Sequence, residues 1–151
     1  MLALIQRVTS ARVDVDGATI GAIGPGLLAF VGIQHDDSTA QVARMADRLL
    51  GYRVFADAEG RMNRSLAESG GGLLLVSQFT LAADTASGMR PGFSTAAAPD
   101  KAEPLFAELL TTCRQKHVPG VETGQFGAHM TVSLVNDGPV TFRLRVPPAV
   151  A

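Results

Sequence analysis

The run LLAFVGI at 27–33 contains no polar side chain. A strand with one wet face alternates apolar and polar residues, so an unbroken apolar run reads as a strand buried on both faces. Such a strand needs layers of chain to cover it. The 151 residues suffice, because a domain of that size buries roughly 68–70% of its unfolded surface. With 46% apolar and 18% charged residues the composition is globular rather than disordered. The length fits one domain over 1–151.

Around that strand the chain reads as mostly β. Residues 2–15, LALIQRVTSARVDV, are rich in β-branched side chains and read as one long strand or two short ones; Val8, Arg12 and Asp14 share one parity, Val13 and Val15 the other. Asp16-Gly17 is a hairpin signal, and ATIGAIG (18–24) returns as a second strand before Gly24-Pro25-Gly26 turns again. In STAQVARMADRLL (38–50) the period changes: Val42, Met45, Ala46 and Leu49 fall at i, i+3, i+4, i+7, which predicts an amphipathic helix capped by Asp37 or Ser38. YRVF (52–55) is a short strand, DAEG a turn and RMNRSLAESGGG (61–72) a loop. LLLVSQFTLAA (73–83) reads as a strand and DTASGMRPGFSTAAAP (84–99) as a long mobile surface loop, a length often tied to function. PDKAEPLFAELLTTCRQKH predicts a second helix, with Asp100 and Glu103 resembling a capping box and Leu105, Phe106, Leu109, Leu110 and Cys113 on its apolar face. HMTVSLV (129–135) and VTFRLRV (140–146) close the chain as two strands around NDGPVT. The expected fold is α+β: a largely antiparallel sheet curled toward a barrel, with two outer helices.

Several function classes fall away. A net charge of −1 gives no overall field toward nucleic acid or membrane, so nucleic-acid contact would need a local patch. The single cysteine, Cys113, cannot form an intrachain disulfide, which fits a reducing cytoplasm. MLALIQRV has no basic n-region and makes a poor signal peptide, and no apolar run approaches the roughly 20 residues of a membrane helix. His35, His117 and His129 stand apart without ligand spacing, so neither metal nor cofactor is expected. Gly70-Gly71-Gly72 lacks the Lys-Ser/Thr of a phosphate loop, and there is no G-x-S-x-G elbow.

Three stretches remain. In SQFTL (Ser77–Leu81), strand alternation puts Ser77, Phe79 and Leu81 on one face and Gln78 and Thr80 on the other. Gln78 is either a satisfied core or edge amide or part of a pocket floor. Thr80 is a nucleophile by residue type, but no base is visible to activate it; exposed backbone N–H groups here would instead hold an oxyanion. NDGPVT (Asn136–Thr141) is either hairpin punctuation or a display of backbone carbonyls to a ligand. GMRPGFS (88–94) places Met89 and Arg90 on a loop that either covers a base or phosphate or is simply solvated.

Taken in order, the IQRV opening, LLGYRVFADAEGRMN (49–63), VSQFTLAADT (76–85), GMRP and VSLVNDGPVTF (132–142) resemble the D-aminoacyl-tRNA deacylase family over the whole chain. The resemblance implies a homodimer that hydrolyses the ester between a D-amino acid, or glycine, and the 3′-terminal adenosine of tRNA. It implies a cis Gly138-Pro139 peptide reaching into the partner's site, where an L side chain would collide with it. Ser77, Gln78, Phe79 and Thr80 would line the site, with N–H groups near Phe79 and Thr80 polarising the ester and the RNA's own 2′-hydroxyl assisting. Met89 and Arg90 would lie near the adenosine, although Gly92 stands where the family pattern has serine. Arg7 would brace the Gly-Pro region; its plain alternative is a surface salt bridge. The implied partner is the acceptor end of aminoacyl-tRNA, with no membrane.

The surface that binds tRNA is less marked. Arg44 with Arg48, the Arg114, Lys116 and His117 group, and Arg143 with Arg145 are each either RNA contacts or solvated faces. Two other readings compete: a non-catalytic binding dimer on the same scaffold, and a general serine or threonine esterase acting through Ser77 or Thr80.

Overall fold

The computed structural model describes residues 1–148. Strand β1 (Leu2–Val15) turns at Asp16-Gly17 into β2 (Ala18–Ile23), followed by β3 (Gly26–Gly32). Helix α1 (Thr39–Gly51) leads to the small hairpin of β4 (Arg53–Ala56) and β5 (Met62–Ser65), then to a single-turn α2 (Leu66–Ser69). β6 (Gly72–Ser77) ends in a 3-10 turn at Phe79–Ala82. Helix α3 (Pro99–Lys116), β7 (Val121–Thr123) and β8 (Thr131–Arg145) complete the chain.

β1 is the spine. It pairs antiparallel with β2, β3 and β8, while the β3–β6 and β6–β7 pairs are parallel. The sheet order β2-β1-β3-β6-β7 curls until its ends meet: a Cβ on Gly21 of β2 would stand 2.6 Å from the carbonyl oxygen of Thr123 in β7. This is the α+β, barrel-like sheet expected from the sequence.

The curl explains the unbroken apolar run. Leu27, Ala29 and Val31 of β3, with Leu73 and Leu75 of β6, face outward under α1 (Val42, Met45, Leu49) and α3 (Leu105, Phe106, Leu109). Leu28 and Phe30, with Leu74 and Val76, face the concave side against Val8, Ala11, Val13, Val132 and Leu134. Each fully buried side chain of this size contributes about 1.5–3 kcal/mol. The two long helices lie where the periodicity puts them, and Ser38 caps α1 as its backbone N–H donates to Gln41 Oε1 at 2.9 Å.

The structure corrects several local expectations. The strand read at 73–83 stops at Ser77: Gln78 N–H donates the last rung to Val31 O at 2.8 Å, and the chain then winds into the 3-10 turn. Ser77, Phe79 and Leu81 therefore do not share a strand face. The segment 61–72 is not a loop, and a third helix joins the two expected. Ser65 Oγ accepts from Glu68 N–H and Glu68 Oε2 accepts from Ser65 N–H, a reciprocal cap that nucleates α2. Helix α3 starts at Ala98-Pro99, so Asp100 sits inside its first turn and forms no capping box with Glu103. The two closing strands are one 15-residue strand running through Gly138-Pro139. The 84–99 segment is stitched down by paired Asp84–Gly92 backbone bonds of 2.8 and 2.9 Å and by Ala97 N–H to Ile33 O at 2.9 Å.

Candidate active site

A cavity of about 760 Å³ opens between the end of β6 and the segment that leads into β8. Ser77, Gln78 and Phe79 form one side; Phe93, the small residues of 96–99, Phe126, His129, Met130 and Val132 are among those that line the rest. The lining is mostly apolar, as expected of a site that takes a flat or hydrophobic ligand and fixes it with few polar groups. Phe79 is half exposed and leans on Phe93, with ring centroids 5.2 Å apart.

The 3-10 turn places polar backbone at this edge. The first N–H groups of a helical turn have no partner inside it. Here the N–H groups of Phe79 and Thr80 find no hydrogen-bond acceptor among the described residues, while Leu81 N–H donates to Gln78 O at 3.1 Å. Gln78 Nε2 donates to Thr80 Oγ1. This answers where the Gln78 amide finds a partner. No base reaches Thr80, and His129, the single titratable residue among those lining the cavity, makes no hydrogen bond with the described residues.

Gly138 and Pro139 lie elsewhere on β8 and do not line this cavity. Their peptide bond is cis, and Gly138 has φ +141°, a value that L side chains rarely adopt. Asn136 Nδ2 donates to Arg7 O and to Val140 O, both at 3.0 Å, which ties the two flanks of the Gly-Pro step together. Arg7 Nε donates to Asp137 O at 3.2 Å, and its Nη1 donates to Val54 O at 2.7 Å. Met89 is fully exposed, and neither it nor Arg90 lines the cavity.

Other expected candidates resolve into structural roles. His117 is buried, with its Nε2 2.7 Å from Gly71 O, so it leaves the basic group at the end of α3. Lys116 Nζ pairs with Asp47 Oδ1 at 2.7 Å. Asp57 closes the β4–β5 turn; the Asn63 amide and the Arg61 and Glu59 N–H groups hold its carboxyl below the usual range. Burial pushes the Cys113 thiol up to about 12, which leaves it unreactive. No three His, Cys, Asp or Glu residues among the described ones are grouped to hold a metal ion.

Phe126, His129 and Met130 were missed by sequence reasoning. Their signal is faint: QFGA has no period, and His129 and Met130 read as the start of the strand at 129–135, which the structure begins only at Thr131.

Fold and site define an α+β barrel with a mostly apolar pocket edged by the unpaired backbone N–H groups of Phe79 and Thr80. Residues 4–145 match the model of a family described as D-Tyr-tRNA(Tyr) deacylase, and the chain belongs to that family. It is 70% identical over 145 residues to a D-aminoacyl-tRNA deacylase of Xanthomonas axonopodis pv. citri (strain 306), covering 96% of this chain and 99% of the relative. A D-aminoacyl-tRNA deacylase of Stenotrophomonas maltophilia (strain K279a) is 68% identical with the same coverage. Among solved structures, one titled c-Myc DNA Unwinding Element Binding Protein superposes with a TM-score of 0.93 at 38% identity, over 97% of this chain and 99% of the other. A probable eukaryotic D-amino acid tRNA deacylase superposes at 0.79 with 17% identity, over 95% and 98%, and shares the fold.

Proposed function

We propose that this chain hydrolyses the ester of D-aminoacyl-tRNA to free D-amino acid and tRNA, and removes glycine from mischarged tRNA. The observation that carries the reading is the pair of unclaimed N–H groups on Phe79 and Thr80 beside an aromatic pocket. When water attacks the ester carbonyl carbon, charge develops on the carbonyl oxygen, and two preset donors match that charge; such a donor is typically worth about 10²–10³ in kcat. The bond from the carbonyl carbon to the ribose 3′-oxygen then breaks. The proton given up by the attacking water passes through the neighbouring 2′-hydroxyl to the leaving 3′-oxygen. Thr80 Oγ, held by Gln78, is not the nucleophile in this scheme. The absence of a base at Thr80 and of any hydrogen bond from His129 to Ser77 or Thr80 argues against the serine or threonine esterase alternative.

In this reading the active enzyme is a homodimer in the cytoplasm. Gly138 and Pro139 of one copy enter the partner's pocket, their carbonyls meeting the substrate amino group, and an L side chain collides with them. Two features support it. The Gly-Pro step stands away from its own chain's cavity. Among the described residues β8 pairs with β1 alone, which leaves its other edge open, and Val135 on β8 is exposed. Steric exclusion of this kind also admits glycine, which has no side chain. The terminal adenine stacks among Phe126, Phe93 and Met130, as bases do on aromatic faces. Met89 and Arg90 act outside the pocket on the adenosine side, and Arg7 braces the filter.

The test is hydrolysis of D-Tyr-tRNA, L-Tyr-tRNA and Gly-tRNA by purified protein with a chelator present. Cleavage of the D and glycyl esters with L spared is the expected result. Equal cleavage of D and L overturns the filter. Binding of tRNA without cleavage would move the chain to the binding-dimer reading.

A further inference from the structure

A second, polar hollow of about 620 Å³ adjoins the pocket and is lined by Arg12, Asp14, Asp16, Thr19, His129 and Thr131. We infer that it receives the penultimate cytidine of the tRNA end, an inference that rests on the deacylase reading above. Transfer RNA ends in CCA, so a pocket that takes the terminal adenosine has a cytidine next to it.

The hollow is built to match that base. Asp14 is held from two sides: Thr19 Oγ1 donates to its Oδ1 at 2.5 Å, and Arg12 Nε donates to its Oδ2 at 3.1 Å. The two Nη groups of Arg12 make no hydrogen bond with the described residues. A carboxylate acceptor therefore stands beside guanidinium donors. The pairing edge of cytosine presents the complement, an N4 amino donor beside the N3 and O2 acceptors. Uracil presents an O4 acceptor where cytosine has its donor, and would set that lone pair against the carboxylate with no proton between them. As a mere surface pair, Arg12–Asp14 would contribute little to stability and would need no hollow in front of it.

Adjacency comes from β8. Met130 and Val132 line the pocket, while His129 and Thr131 line the hollow, and His129 belongs to both. Thr131 and Val132, the first residues of β8, face opposite sides, and His129 just before the strand borders both hollows, so the RNA passes over the start of β8 with one base on each side. His129 then lies under the phosphate that joins them.

The experiment compares kcat/KM of the full chain on D-Tyr-tRNA ending in CCA, on the same tRNA with the penultimate C replaced by U, and on 3′-O-D-tyrosyl-adenosine. The wild type should prefer C over U by about tenfold, the discrimination of one good hydrogen-bonded base contact. Asp14→Asn, whose amide can donate to uracil O4, should shrink or invert that preference. Arg12→Ala should lower the ratio of the tRNA to the adenosine substrate. Equal wild-type rates on C and U overturn the site. So does a variant that loses the same factor on every substrate, since that is a general effect on the fold. No cleavage of any substrate, including the adenosine ester, would overturn the deacylase reading and this site with it.

Discussion

Arg7 grips Asp137 at two points: its Nε lies 3.2 Å from the backbone oxygen and 3.2 Å from Oδ2 of that residue. With Nη1 on Val54 O, one guanidinium ties β1 to β8 and β4, one residue before the Gly-Pro step. Asp137 is half exposed, so the ion pair itself adds less than about 1 kcal/mol to stability. Its value is positional. Arg7→Lys keeps the charge and loses the planar fork. The expected outcome is a drop in kcat/KM of about tenfold, roughly 1.4 kcal/mol of transition-state stabilisation, with little change in melting temperature. Full activity in this variant would show that Gly138 is placed without Arg7.

Gly138→Val tests the filter directly. A Cβ at 138 would stand 2.6 Å from Val140 Cγ2 and 2.7 Å from Val140 N, at a φ of +141°. Strain of about 1–3 kcal/mol would distort the Gly-Pro step. Deacylation of D-Tyr-tRNA should fall more than about 100-fold, equivalent to losing more than about 2.7 kcal/mol at the transition state. Circular dichroism separates that loss from unfolding.

If the filter works in the partner's site, two inactive variants should rescue each other. Mixed after dissociation, Gly138→Val and a pocket variant such as Phe79→Ala would form heterodimers in which one of the two sites carries neither defect. Random exchange then restores about a quarter of the wild-type sites. No recovery on mixing, with exchange confirmed by mass spectrometry, would place the filter in its own chain.

Thr80→Ala should retain kcat/KM within about tenfold, because the backbone N–H survives the substitution and only the hydroxyl that Gln78 contacts is lost. A loss approaching the 10⁴-fold or more seen when nucleophiles are removed would return Thr80 to the chemistry.

Cys113 sets an alkaline limit. Its thiol titrates near 12 in the folded chain against about 9 in an exposed one, so the folded state holds the proton more tightly. Stability from this group is complete below about pH 9 and falls as pH rises toward 12, by at most about 1.4 kcal/mol per pH unit. Urea titrations of wild type and Cys113→Ala from pH 8 to pH 11 should therefore converge as pH rises. A constant gap would mean that the thiol ionises as easily inside as outside. Native Cys113 should also resist iodoacetamide until the chain unfolds.

The sequence carried the two long helices, the doubly buried β3 and the barrel-like class, because those depend on local period and on runs of apolar residues. It misplaced the 3-10 turn because Phe79 and Leu81 have strand-like side chains, and only the close packing of Leu81 against Gly32 shows where the chain bends. It missed α2 although Ser65 and Glu68 carry its cap in plain view; four residues are too few for a period to register. Of the site, Ser77, Gln78 and Phe79 were legible as odd residues in an apolar strand. Phe126, His129 and Met130 were not, since a pocket wall made of loop has no pattern along the chain. The parity of β1 was ambiguous for a physical reason. Ile5 lies under the helices, Val8 lies on the concave side, and Ala11 and Val13 join Val8 there with the opposite parity.

That switch in parity falls at the second of two irregularities in the β1–β8 register: the one between Gln6 and Val8 puts its extra residues in β8 and leaves β1 alternating, while the one between Val8 and Ser10 sets two steps of β1 against one of β8. Arg7 stands within the first, and Arg12 and Asp14 follow the second. The spine therefore counts residues: one extra residue in β1 turns the half-strand beyond it over. Side chains along β1 can be exchanged one at a time, but inserting or deleting a single residue between Gln6 and Asp14 would turn the guanidinium of Arg12 inward and a valine out. In this strand the number of residues carries as much of the architecture as their identity.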